Sequence, residues 1–124
     1  IRDLYDDPEK VKAKIKKAKD YSDKLIQGLI GGKPNALSKK LMSQQTTSDM
    51  TDEMKAMAVL RDIADGMDRF YDKVRYYQQA LEQDERDKEK YPDNPYMGQE
   101  ASKYGKEIAA TSNLITQGKF RGYF

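Results

Sequence analysis

The chain has 124 residues with no histidine, no cysteine and no tryptophan, while 35% of its residues are charged. Its 23 basic side chains nearly balance its 21 acidic ones, so the net charge is only +2. Histidine is the usual acid–base group near neutral pH and the commonest metal ligand, and cysteine is the most readily activated nucleophile. Their absence closes most routes to an active site, and the reading is no enzyme, no cofactor and no metal.

One domain is expected at this length. Leu, Ile, Val and Phe together fall below about a fifth of the residues, a level that raises the question of disorder. Six Met and nine Tyr add buriable surface, and the apolar residues are periodic, so the expectation is an ordered bundle with a thin core. A thin core makes stabilisation by a partner plausible. The balanced charge argues for neither nucleic acid nor a membrane surface, and no apolar run approaches the ~20 residues of a membrane span. The start at Ile1 suits a processed mature protein or an excised fragment,.

The first helix opens with Asp7 as cap, Pro8 at the first helical position and Glu9 at the positive end of the dipole,. Val11, Ile15, Ala18, Ser22, Leu25 and Leu29 then form a narrow seam,. Gly31, Gly32 and Pro34 stop it,. Leu37, Leu41 and Met42 suit a short helix, and Gln44 to Thr47 reads as a loop or a frayed end. Ser48, Asp49 and Thr51 offer caps for the segment that follows,.

Met50, Met54, Met57, Leu60, Ile63, Ala64, Met67, Phe70, Tyr71, Val74 and Leu81 make one long stripe, interrupted chemically at Asp65-Gly66. A continuous helix of about 38 residues would span ~57 Å. A turn at Asp65-Gly66 gives lengths that match the first helix and suit an up-down-up-down bundle. One interior glycine costs only ~1 kcal/mol and does not force a break. Matched lengths favour the turn. Residues 82–90 carry no apolar group, and Glu82/Arg86 and Asp84/Lys88 are spaced to pair on a solvated helix end,. The Tyr91 to Tyr96 segment, with Pro92 and Pro95, breaks the helix,. The last helix carries Ala101, Tyr104, Ile108 and Ile115 on one face and ends at Gly118,. The expected fold is therefore an all-α, up-down-up-down four-helix bundle over 1–117 with a short non-helical aromatic tail over 118–124.

Three features offer surfaces for a partner. Seven lysines fall between Lys10 and Lys24; they read either as a solvated face or as a contact with an acidic protein surface. Lys10, Lys12, Lys16, Lys17 and Lys19 are the candidates there. A basic helix without arginine or stacking aromatics has little with which to read nucleic-acid bases. Phe70, Tyr71 and Tyr104 read as core, whereas the adjacent Tyr76 and Tyr77 cannot both face its centre,. In the loop, Tyr91, Pro92 and Tyr96 either touch a partner or close the end of the bundle,. In the tail, Phe120, Arg121, Tyr123 and Phe124 either fold back or enter a partner groove.

Glu100, Lys103, Tyr104, Ile108 and the run Ser112-Asn113-Leu114-Ile115, after a proline-containing loop, resemble the final helix of the PsbQ-type extrinsic subunits of photosystem II. That resemblance implies four antiparallel helices and a non-catalytic protein of the thylakoid lumen. Such a subunit docks on the lumenal face, against intrinsic and extrinsic subunits, and helps retain the ions of the oxygen-evolving centre without ligating manganese. The alternative is a helical adaptor of a bacterial secretion, conjugation or phage assembly, placed in the periplasm or another extracytoplasmic space.

Overall fold

The computed structural model describes residues 7–45, 49–93, 95 and 98–120, and everything structural below concerns those residues. They form four helices and no strand: α1 (Pro8–Ile30), α2 (Ala36–Ser43), α3 (Asp52–Lys90) and α4 (Gln99–Ile115). The all-helical class expected from the periodicity is what the chain adopts.

Each start has a local cause. Asp7 accepts from the Glu9 N–H at 3.0 Å with Pro8 next in line. Asn35 accepts from the Ser38 N–H at 2.8 Å, and Thr51 from the Met54 N–H at 3.2 Å. Of the three caps offered before α3, the threonine is used. A side-chain acceptor there satisfies a backbone donor that the helix itself leaves orphaned.

The expected turn at Asp65-Gly66 is absent. α3 runs through both residues as one helix of 39 residues. The four helices are thus three long ones and the short α2, not the four matched lengths that a turn would have produced. The physical reason lies in what covers Gly66. A carbon added at its Cβ position would lie 2.8 Å from the Phe120 carbonyl oxygen and 3.0 Å from the Phe120 Cβ. Glycine is there for close approach of another backbone, and the helix tolerates it because one interior glycine is cheap.

α4 lies back along α3. Tyr104 meets Tyr76, Glu107 reaches Lys73, and Phe120 reaches Gly66, so positions rise on one segment as they fall on the other. α1 packs against both α3 and α4, and α2 lies against α3 and α1. The core runs through Val11, Ala18 and Leu25 of α1, Val59, Ile63, Phe70 and Tyr77 of α3, and Ile108 and Ile115 of α4. The α1 seam is met in full, with Ile15 half-buried.

The stripe read on α3 holds only in part. Ile63, Met67, Phe70 and Val74 are buried as expected, but Met54, Met57 and Tyr71 are exposed. Before Ile63 the face in use passes through Ala56, Val59 and Leu60. Steps of three and four connect those positions to Ile63, whereas Met54 and Met57 drift around the cylinder. The pairs Glu82/Arg86 and Asp84/Lys88 do not form; Gln83 instead donates to Asp87 at 2.9 Å.

The end of α4 settles the near part of the tail. Gly118 takes φ +79°, the Lys119 N–H donates to the Leu114 carbonyl at 2.9 Å and the Gly118 N–H to the Ile115 carbonyl at 2.9 Å. This is a Schellman turn, and glycine supplies its left-handed position without steric cost. The turn sends the chain back towards α3, and Phe120 is 5% exposed.

Candidate docking surface

α1 presents its lysines outward because Val11, Ala18, Ser22, Leu25 and Leu29 occupy the opposite face,. Lys10, Lys12, Lys16, Lys17 and Lys19 are all exposed. Lys12 pairs with Glu9 at 3.7 Å, a solvated contact within one turn, of the kind that contributes at most ~1 kcal/mol. Lys14 bridges to α4, its ammonium donating to Asn113 Oδ1 at 3.4 Å. A groove of about 680 Å³ follows the row and brings together Lys16, Lys17, Lys24 and Tyr21 of α1 with Thr116 beyond α4. Burial pushes the Tyr21 phenol up from its ordinary value.

The second surface is aromatic. Tyr77 is 2% exposed while its neighbour Tyr76 is 54% exposed, the division that helical geometry requires of adjacent rings,. Tyr76 stacks on Tyr104 with ring centres 6.1 Å apart and planes at 25°, a favourable offset arrangement. The Lys73–Glu107 ion pair, 3.9 Å long, lies one turn away. Tyr104 is half-buried as part of this stack. Tyr71 departs from the core reading: it sits at the edge, 6.0 Å from Phe70 ring to ring. Burial first, then the nearby Asp23 carboxylate, pushes its phenol up.

At the far end, α1, α3 and α4 enclose a cleft of about 1190 Å³ lined by Lys12, Leu81, Asp84, Lys88, Ser102 and Lys106 among others. Asp84 binds the Gly98 N–H at the otherwise uncapped start of α4. Burial lifts its carboxyl above the ordinary range; the Gly98 bond opposes that, and the charges of Asp87 and Glu100 add to it. Among the described residues no group of three or more His, Cys, Asp or Glu side chains is placed to hold a metal ion.

The expected site residues therefore divide. Tyr91 and Pro92 are exposed just past α3, where the Tyr91 N–H closes the helix on the Asp87 carbonyl at 2.6 Å. Of the two readings offered for the tail, Phe120 takes the folded-back one, seated against Gly66 in the core. Tyr96, Arg121, Tyr123 and Phe124 lie outside the described residues. Sequence reasoning missed Ile30 and Met57, which are 72% and 68% exposed. It also missed Tyr21, whose spacing from Lys17 and Lys24 on one helix face was the available signal. No described helix is long and apolar enough to cross a membrane. Comparison with family models, with curated proteins and with solved structures gave no match.

Proposed function

We propose that this protein is a non-catalytic helical subunit that docks on a larger protein assembly and stabilises it. The observation that carries the reading is the set of large side chains left outward after the helices have paired. Tyr76, Tyr91, Met54, Met57 and Ile30 are exposed on or beside ordered helices, and tyrosine and methionine are residues that interfaces favour. The exposed lysine face of α1 supports it too, because such a charged face speeds and orients encounter with an acidic surface.

The finer form of the proposal places the chain in the thylakoid lumen on the oxygen-evolving side of photosystem II. It is supported by the residues from Glu100 to Ile115 that resemble the last helix of PsbQ-type subunits. The test is reconstitution. Photosystem II membranes stripped of extrinsic subunits are mixed with the purified chain, and co-sedimentation and oxygen evolution are measured. Saturable binding that restores ion retention is expected. A chain that stays in the supernatant at low salt removes the photosystem assignment and leaves a different assembly, such as a bacterial secretion or phage particle, as the site of docking.

A further inference from the structure

Resting on that docking reading, we propose that the groove between α1 and the end of α4 seats an acidic segment of a partner protein. Ala13, Lys16, Lys17, Asp20, Tyr21 and Lys24 follow steps of three, one, three, one and three, so they form one row on one face of α1,. Thr116 closes the groove from the other side. From Ala13 to Lys24 the row measures ~16 Å at 1.5 Å per residue.

The charge of this row is not spent inside the fold. Lys16, Lys17 and Lys24 are exposed and make no ion pair among the described residues, in contrast to Lys12 and Lys73, while Lys14 is held by a hydrogen bond to Asn113. Asp20 is the one carboxylate lining the groove against those three ammonium groups, in a chain whose charges otherwise nearly cancel. The carbonyl end of α4 opposes an anion with only about half an elementary charge, which three ammonium groups outweigh. At the middle of the row Tyr21 is half-buried, and its phenol, pushed up by burial, offers a hydroxyl beside the lysines. Ala13 leaves the groove open at one end.

The chemistry selects among anions. Lysines act as hydrated point charges, so they accept carboxylates in a sequence-tolerant and salt-sensitive way. The row holds no arginine, and Tyr21 is the single aromatic lining the groove, whereas stacking of successive bases needs successive rings. It also lacks the exposed apolar face that an interfacial helix needs.

The experiment uses a fluorescent glutamate-rich peptide of about 12 residues, long enough to follow the row, titrated by anisotropy at low and high salt. Two triple variants of equal charge are compared: Lys16→Gln with Lys17→Gln and Lys24→Gln, and, as control, Lys33→Gln with Lys39→Gln and Lys40→Gln. All six lysines are exposed, and circular dichroism checks that both variants fold. The groove variant is expected to lose more than ~10-fold in affinity and the control less than ~2-fold, since close charges dominate screened distant ones. Equal losses, or no binding by the unmodified chain, overturn the proposal. So does single-stranded DNA or a phosphatidylglycerol vesicle bound as tightly through the same lysines. Fractionation of the native source separates the two claims. A groove variant still recovered in a large particle sinks the groove alone, whereas an unmodified chain recovered only free sinks docking itself.

Discussion

The Phe120 carbonyl oxygen lies so close to Gly66 that a side-chain carbon there would approach it to 2.8 Å. One contact thereby explains two features: an unbroken α3 across a glycine, and a buried aromatic in a segment that does not continue α4. Alanine in a helix is ordinarily favoured over glycine by ~1 kcal/mol. At Gly66 the sign reverses, and Gly66→Ala is expected to lower stability by about 1–3 kcal/mol in urea unfolding, the usual cost of overpacking. Phe120→Ala is expected to cost about 3 kcal/mol by leaving a cavity. In the Phe120→Ala background the tail is free to shift, so Gly66→Ala becomes close to neutral; additive losses would contradict the contact.

The two adjacent tyrosines make a clean pair of variants. Tyr77→Ala removes a ring that is 2% exposed, and a loss of about 3–5 kcal/mol is expected. Tyr76→Ala removes a ring that is 54% exposed and stacked on Tyr104, so the loss is expected to stay near 1 kcal/mol. Thermal unfolding of both reads the difference. If Tyr76 serves docking, its replacement lowers recovery with the assembly far more than it lowers stability.

Asp84 gives stability a pH dependence with a definite sign. Its carboxyl is raised above the ordinary value of 3.8, so the folded chain holds the proton more tightly than the unfolded one. This contribution is present below 3.8 and is lost as pH rises from there through the folded value,. Lys88 and Lys103 also line the cleft. Asp84→Asn keeps an acceptor for the Gly98 N–H and removes the charge. It is expected to flatten the pH profile between mildly acidic and neutral conditions and to leave the neutral midpoint equal or higher. A lower midpoint at neutral pH would show that the charge itself holds α4.

Ser112 is buried and its hydroxyl has no hydrogen-bond partner among the described residues, as is also true of Ser38. An unsatisfied buried hydroxyl costs about 1–3 kcal/mol. Ser112→Ala is therefore expected to leave stability unchanged or raise it in denaturant titrations. A clear loss would mean that the hydroxyl is satisfied.

The sequence carries the helices more plainly than it carries their contacts. The α1 seam is readable because Val11 to Leu29 keep one period between a proline-led start and a glycine-ended stop. The class and the short α2 follow from the same kind of signal. Gly66 misleads because a glycine that admits a neighbour and a glycine that starts a turn look alike along the chain. Only Phe120, distant in sequence, distinguishes them. Met54 and Met57 mislead for a related reason: repeated steps of three lead from them to Ile63 along the chain, but each such step drifts around the helix, and the buried face passes through Val59 instead,. The lysine row was visible as composition. That it frames a groove with Tyr21 and Thr116 needed the position of α4.

Size fractionation of a native extract, followed with an antibody to this chain at low and at high salt, is the most direct measurement. The account expects the chain in a large particle at low salt and its release as salt screens the lysine face. A chain that runs as a free small protein at every salt concentration contradicts it.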